Sequence, residues 1–372
     1  MKITVLVGTL SIGGAEKVAV NLANGFADRG YETDLVVLKD EGPLASNLDE
    51  KVTLNPLYAS RVRWSLPSII RYLNRRRPDV VISVMTVENA LTVLSAKISR
   101  YQPMVIVTEH SVRSDRTWKS VAFKGDFLLG MATYNKSDEI VAVSDSVARD
   151  VLSWSNVSRK DITVIHNPVE LASPVNNTDE VSCSVTEQHE WFSLNEPVLL
   201  AAGRYTPEKD FSTLIRAFSK VSERIRGRLM ILGDGEQRNE LETLSKELAV
   251  KDRVCLYGFV DDPYPYMKAA DLFVLSSRSE GFGNVLVEAM SCGTPVVATK
   301  CGSGPVTILD DGTYGPLIPV GNVSQMAKTI LETLSDPPDS EVLRDRAQDF
   351  SVETIVSQYL ELIDAKLTQR GV

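Results

Sequence analysis

At 372 residues the chain exceeds what one hydrophobic core usually holds, so two domains are expected, each with ample apolar material. Apolar residues make up 43% and charged residues 24%, the balance of an ordinary globular protein, which excludes a disordered chain. The net charge of −9 is unevenly divided: residues 1–168 hold 21 Lys and Arg against 18 Asp and Glu, a balance of +3, and the rest hold 19 against 31, a balance of −12. So acidic a second half argues against nucleic acid as a partner.

No apolar run approaches the roughly 20 residues that span a bilayer. The opening MKITVLVGTLSIGGAEK reads as a first strand and not a signal peptide, because glycines and a charged helix stand where a small-residue cleavage site would be. Cys183, Cys255, Cys292 and Cys301 lack metal-type spacing and read as reduced structural thiols, which points to a cytoplasmic enzyme. Asn135, Asn156, Asn176 and Asn322 begin Asn-x-Ser/Thr triplets, which carry no meaning without secretion.

Residues 3–7 form a buried-type strand, and residues 8–14 (GTLSIGG) turn into a helix over about 15–29, closed by Gly30. This is not the dinucleotide fingerprint: Gly-x-Gly-x-x-Gly is absent and no acidic residue ends the next strand, 34–38, so NAD is disfavoured. Gly13 and Gly14 are either a plain helix-start turn or a place where backbone approaches a phosphate or sugar. Between residues 60 and 77 lie Arg61, Arg63, Trp64, Arg71, Arg75, Arg76 and Arg77 with no acid among them, and Pro67 opens a helix carrying Ile69, Ile70 and Leu73. A basic amphipathic helix is either a solvated face or a contact with an anionic membrane surface.

Strand and helix patterns then alternate: strands at 80–84, 104–107, 140–143 and 162–165, helices near 87–98, 118–134 and 146–153. Such alternation implies a mainly parallel sheet. His110 directly follows a strand, where its near-neutral pKa suits proton-linked chemistry as well as a structural role. Periodicity lapses after residue 168, and residues 172–197, rich in Ser, Asn, Thr, Asp and Glu, read as an interdomain linker.

The second half opens with a strand at 198–202 followed by Gly203-Arg204-Tyr205-Thr206-Pro207-Glu208-Lys209-Asp210. Arg supplies a planar fork and Lys a point charge, a combination suited to a diphosphate. Strands at 229–232 and 254–257 end in Gly233-Asp234-Gly235 and Gly258-Phe259-Val260. A strand at 271–275 leads through Ser276-Ser277-Arg278-Ser279-Glu280-Gly281-Phe282-Gly283-Asn284 into a helix that carries Glu288. Gly281 and Gly283 allow unusual backbone angles and leave amides at a helix N-terminus open to anionic oxygens, while Glu280 and Glu288 can accept pairs of sugar hydroxyls. A strand at 295–298, a turn at Gly302-Ser303-Gly304-Pro305 and a final amphipathic helix over about 352–367 complete the pattern.

The Glu280-x7-Glu288 spacing with its Gly281-Phe282-Gly283 insert, the Gly203-Arg204 and Glu208-Lys209 pairs and the N-terminal glycine loop resemble the retaining family-4 glycosyltransferases over essentially the whole chain. The resemblance implies the α/β GT-B fold, two Rossmann-like domains facing a cleft: 1–170 on the acceptor side, a linker at 171–197, a nucleotide-sugar domain at 198–351, and a terminal helix, 352–372, returning to the first domain. It implies that Glu280 binds the transferred sugar, Glu288 the ribose, Arg204 and Lys209 the diphosphate, and His110 the donor sugar. Gly233 and Gly235 would border the nucleotide, Phe259 and Val260 the base, and Gly13 and Gly14 the cleft; Asn284 opens the helix of the signature.

The implied reaction is transfer of a hexosyl or N-acetylhexosaminyl group, with retention, from a UDP-sugar before a GDP-sugar to a glycan or lipid-linked glycan. Asp-x-Asp occurs nowhere, so no metal and no cofactor beyond the donor is expected. A nucleotide-sugar epimerase or hydrolase on the same fold, and a non-catalytic sugar-nucleotide module, are the rival readings. The basic segment lies on the acceptor side, so a peripheral position at an anionic membrane is expected if the acceptor is lipid-linked.

Overall fold

The computed structural model describes residues 1–39, 42–113, 128–172 and 189–370. It divides into two compact units, Met1–Val169 with Phe350–Val372, and Glu170–Asp349.

The sheet of the first unit holds β1 (Lys2–Val7), β2 (Glu32–Val37), β3 (Thr53–Pro56), β4 (Val80–Val84), β5 (Met104–Glu109), β6 (Glu139–Ala142) and β7 (Ile162–Val164) in the order β3-β2-β1-β4-β5-β6-β7. Every pairing is parallel, with Val5 opposite Leu35 on one side and Ile82 on the other. Both faces are covered, which is why the inner strands are almost unbroken apolar runs; β4, VVISV, is buried throughout. The helices α1 (Gly14–Asp28), α2 (Leu66–Arg76), α3 (Thr86–Ile98) and α4 (Asp145–Trp154) supply the cover. Ser144 caps α4, its hydroxyl accepting from the Val147 amide at 3.4 Å.

The helix Val352–Arg370 belongs to this unit and packs on α1. Gly25 makes room for it, since a Cβ there would lie 2.6 Å from Val356 and 2.7 Å from Val352. Phe26 meets Tyr359 edge-on at 6.4 Å, and Arg29 donates to the Ser357 hydroxyl at 2.7 Å. A buried aliphatic or aromatic side chain of this kind contributes about 1.5–3 kcal/mol.

The second unit's sheet holds β8 (Val198–Ala202), β9 (Arg228–Leu232), β10 (Val254–Gly258), β11 (Leu272–Leu275), β12 (Val296–Thr299) and β13 (Leu317–Ile318), ordered β10-β9-β8-β11-β12-β13 and again all parallel. Its helices include α5 (Phe211–Ser222), α6 (Arg238–Glu247), α7 (Tyr264–Ala269) and α8 (Asn284–Ser291). In both sheets the strand order reverses beside the first strand of the unit, between β1 and β4 and between β8 and β11. Ligands of open α/β sheets settle in the crevice outside the strand ends at such a reversal.

Several elements depart from the sequence-based expectation. β3 and β13 were not anticipated: β3 carries Pro56 at a sheet edge, where no ladder donor is required, and β13 is two residues long. Residues 118–127 of the helix expected at 118–134, and 173–188 of the expected linker with Cys183 and Asn176, lie outside the described residues.

The basic helix α2 turns its apolar side inward, burying Ile69, Tyr72 and Leu73, so that face is not available to a bilayer. Nor is Arg76 a loose surface charge. It grips the fully buried Asp34 through Nε at 2.9 Å and Nη2 at 2.6 Å, while Tyr72 donates to the same carboxylate at 2.6 Å. Burial alone would raise the Asp34 pKa, but Arg76, Tyr72 and the nearby Lys2 outweigh it and hold the carboxyl below its ordinary value.

Candidate active site

The second unit's crevice is built from the loops after β8 and β11. Gly203 follows β8 at φ +154 and Gly233 follows β9 at φ +125, and a Cβ on Gly233 would fall 2.0 Å from the Gly203 carbonyl oxygen. Two backbones therefore touch where any larger residue would hold them apart. A Cβ on Gly235 would likewise fall 2.5 Å from the Tyr205 carbonyl, and Tyr205 N donates to Asp234 O at 2.9 Å. Arg204 stands exposed between these loops.

Lys209 and Glu280, 71 residues apart, meet at the centre: Nζ donates to Oε1 at 2.6 Å, and the Ser277 hydroxyl donates to the same oxygen at 2.7 Å. Their loops are tied by Ser276 Oγ donating to Lys209 O at 2.7 Å and Arg278 N to Glu208 O at 2.7 Å. Arg278 also pairs with Asp210 at 3.0 Å, and Asp210 itself sits at φ +48. Side-chain exposure of 23% for Lys209 and 13% for Glu280 leaves the pair reachable from solvent. Lys209 keeps two further N–H donors for an incoming anion, and Oε2 of Glu280 has no partner among the described residues.

Gly283 caps α8 at φ +105, and Asn284 is its first residue. Phe282 is buried, and a Cβ on Gly304 would lie 2.2 Å from the Phe282 carbonyl, so Gly281 to Gly283 rest on a second glycine turn. Glu288, on α8, is 5% exposed and lies near Tyr264, whose phenol is pushed up first by burial and then by that carboxylate. Phe259 is 52% exposed and Val260 lies beside it, after β10.

The first unit's crevice is made differently. His110 follows β5 with both ring nitrogens engaged: Nδ1 donates to Asn167 Oδ1 at 3.1 Å, and Nε2 lies 2.9 Å from the Thr108 hydroxyl. Burial lowers its pKa to about 4, against a smaller raising effect of Asn167, so the ring is neutral at physiological pH. Beneath it Glu109 accepts from Tyr134, from Thr86 at 2.5 Å and from Asn89 at 3.5 Å. Gly13 is the N-cap and Gly14 the first residue of α1, at the end of the loop that follows β1, with Gly14 exposed and in open space. Met85, between β4 and α3, is held at φ +80, a conformation rare outside glycine and typical of constrained sites.

The structure thus brings Arg204, Lys209 and Glu280 to neighbouring loops of one crevice, with Gly203, Gly233 and Gly235 packed behind them. Glu288 occupies the helix beyond. Sequence reasoning missed Ser277, which stands three residues before Glu280, and Asn167, which reaches His110 from 57 residues away. It also missed Glu88, buried in the first turn of α3. An acid in a helix's first turn is commonplace; the signal that could have raised it is Gly8, where a Cβ would lie 2.2 Å from the Glu88 Oε1.

Residues 12–173 match the family model of Glycosyltransferase Family 4, and residues 186–350 that of Glycosyl transferases group 1. A lipopolysaccharide core biosynthesis glycosyltransferase, LpsE of Rhizobium meliloti (strain 1021), is 29% identical over 371 residues, covering 95% of this chain and 96% of that protein. An N-acetylgalactosamine-N,N'-diacetylbacillosaminyl-diphospho-undecaprenol 4-alpha-N-acetylgalactosaminyltransferase of Campylobacter jejuni is 29% identical over 222 residues, 60% of this chain and 57% of that one. The crystal structure of Anabaena Alr3699/HepE in complex with UDP superposes with a TM-score of 0.80 over 98% of this chain and 100% of that chain, at 22% identity, a likeness of fold.

Proposed function

We propose, on the premise that this chain belongs to the family-4 glycosyltransferases with the GT-B fold and is a glycosyltransferase, that it moves a hexosyl or N-acetylhexosaminyl group from a nucleotide-diphosphate sugar to a glycan or lipid-linked glycan. UDP is the favoured nucleotide and GDP the competitor. Transfer proceeds with retention, without a metal, in the assembly of a surface polysaccharide or glycoconjugate. The names of the relatives and the UDP held by the Anabaena structure support this direction.

The Lys209–Ser277–Glu280 contact at the β8/β11 strand reversal is the observation that carries the reading. A leaving diphosphate takes the free donors of Lys209 and the exposed fork of Arg204, together with the amides at the start of α8. Drawing Lys209 towards the phosphates leaves Oε1 of Glu280 bonded only to Ser277, so both carboxylate oxygens can accept hydroxyls of the transferred sugar, while Glu288 takes the ribose. The acceptor oxygen bonds to the anomeric carbon on the face from which the phosphate departs, and the departing phosphate oxygen takes the acceptor's proton.

The deciding experiment incubates the protein with a panel of UDP- and GDP-sugars, with and without glycan acceptors, and measures released nucleotide with EDTA present. Acceptor-dependent release with an α-linked product from an α-linked donor is expected. Release that ignores the acceptor, or isomerised donor, points to the hydrolase or epimerase; loss of turnover in EDTA restored by Mn overturns metal independence.

We also assign the enzyme to the inner, cytoplasmic face of an anionic membrane, held peripherally. No helix among the described residues is long and apolar enough to cross a membrane. Support comes from the outward-facing Arg71, Arg75 and Arg77 and from Tyr58, 70% exposed, a residue type that favours bilayer interfaces.

A further inference from the structure

Three strand ends of the second sheet converge on one side chain that the roles assigned above do not use. Arg238 is the first residue of α6, and its guanidinium reaches the ends of three neighbouring strands, β8, β9 and β10. Nε donates to Asp234 Oδ1 at 3.0 Å, in the turn after β9. Nη1 donates to the Leu256 carbonyl of β10 at 3.1 Å. Cζ lies 5.5 Å from the centre of the Tyr205 ring, in the loop after β8.

A cation at the first position of a helix sits at the wrong end of the helix dipole, so α6 itself gains nothing from an arginine there. The strand ends do gain. Tyr205 is fully buried, its hydroxyl donating to Ile231 O at 2.8 Å and its amide to Asp234 O at 2.9 Å. Asp234 Oδ1 also accepts from the Gly235 amide at 2.8 Å, and the hydrogen bond from Arg238 holds that carboxyl below its ordinary pKa. Farther along the sheet, the pairing of β10 with β9 slips between Leu256 and Gly258, a bulge beside the carbonyl that Arg238 takes. Just beyond it Gly233 N donates to Gly258 O at 2.7 Å. A planar fork with a flat face serves an acid, a carbonyl and a ring together, which the point charge of an ammonium does not.

We propose that Arg238 is a positioning residue of the donor site: it locks the loops after β8 and β9 to the bulge of β10, and so holds Arg204, next to Tyr205, and the turn at Gly233 and Gly235 ready for the diphosphate. The role rests on the nucleotide-sugar reading above. Arg238 acts through these loops and not by taking the ligand, since Nε and Nη1 are committed to Asp234 and Leu256. Loops already held in place spend none of the binding free energy on being ordered, whereas loosened ones must be ordered by the nucleotide at the expense of affinity. The exit of the chain from the bulge, through Gly258 at φ +111 into Phe259, is set by the same contact.

The test is calorimetric titration of the full chain with UDP and with GDP, beside urea unfolding and amide hydrogen exchange. R238A removes the whole clamp. R238K keeps a cation near Asp234 but cannot bond Asp234 and Leu256 together while lying flat on Tyr205, and it decides the outcome if R238A fails to fold. Both variants are expected to bind the nucleotide roughly tenfold or more weakly, the loss of one charge-assisted hydrogen bond at the misplaced loops. The Tyr205 and Gly233 amides, which bridge the loops, should exchange faster in both. E242A, which removes only the looser ion pair of Arg238 at 3.7 Å, should bind as the wild type does. A folded R238K with wild-type nucleotide affinity overturns the proposal even if its unfolding midpoint falls, because Arg238 then serves the fold alone. An equal loss in E242A overturns it as well, placing the effect in the charge of α6. Wild-type protein that binds neither UDP nor GDP overturns the nucleotide-sugar reading and this role with it, a result seen before any substitution is made.

Discussion

The two sheets share a topology and treat charge in opposite ways. At the reversal beside β8, Lys209 and Glu280 are partly exposed and paired with each other. In the first unit two buried groups are driven towards neutrality: His110 falls to about 4 and Glu88 rises to about 7, each chiefly through burial. Both crevices hold a non-glycine residue in the left-handed region, Asp210 and Met85, so local backbone constraint is common to them and charge state is not. One crevice suits a ligand that brings its own formal charge to the reacting centre. The other suits hydroxyls.

Breaking the charged pair should have the largest effect. Lys209→Ala removes a donor from the leaving group and Glu280→Gln a carboxylate from the sugar; each should lower kcat by on the order of a hundredfold, as loss of one oxyanion donor does. Because both side chains reach solvent, the unfolding free energy should change by about 1 kcal/mol or less. Steady-state kinetics beside urea unfolding separates the two outcomes, and near-normal kcat in both variants would remove the pair from the chemistry.

The neutral crevice is sharpened by pH. A carboxyl raised from 4.5 to about 7 makes the folded state bind more protons than the unfolded chain in that window, so its contribution to stability is full at low pH and is lost as pH rises to 7. A histidine lowered from 6.5 to about 4 does the reverse, contributing fully above 6.5 and losing its share as pH falls to 4. The two slopes oppose each other where the windows overlap. Glu88→Gln should therefore expose a stability that climbs from pH 4 to 6.5, and His110→Gln one that falls from pH 4.5 to 7, each by on the order of 2–3 kcal/mol. Parallel curves for the wild type and both variants would show that neither group is desolvated as the structure has it.

Much of this contrast could be read only in part from the sequence. The alternation of apolar runs and helix patterns identified both sheets, because parallel strands buried on two faces leave a strong composition signal. Lys209 and Glu280 could each be placed at a strand end, but their 2.6 Å contact depends on β8 and β11 being neighbours, which no local pattern records. Short edge elements such as β13 have too few residues to show a period. The helix at α2 was legible as amphipathic, yet sequence alone did not say that Ile69, Tyr72 and Leu73 face the sheet or that Arg76 closes on Asp34. Neutral Glu88 was hidden for a similar reason: burial, not residue type, sets its charge.

The last expected effect lies on the outer face of α2. Arg71, Arg75 and Arg77 point to solvent, whereas Arg76 is locked to Asp34 and must be spared, since removing it would leave a buried carboxylate unpaired. Arg77 occupies the helix C-cap at φ +50, so Asn is the replacement that best tolerates its backbone. Each basic side chain near an anionic leaflet is worth about 1 kcal/mol, so Arg71→Gln, Arg75→Gln and Arg77→Asn together should cost up to about 3 kcal/mol of binding. Flotation with phosphatidylglycerol vesicles should weaken in the triple variant and, for the wild type, with added salt, because exposed charges are screened beyond about 10 Å at 0.1 M. Since the apolar side of α2 is buried in its own domain, the attraction left is electrostatic and salt should remove most of it. Wild-type flotation that withstands salt, or that is equal on neutral phosphatidylcholine vesicles, would show that these arginines only solvate the helix.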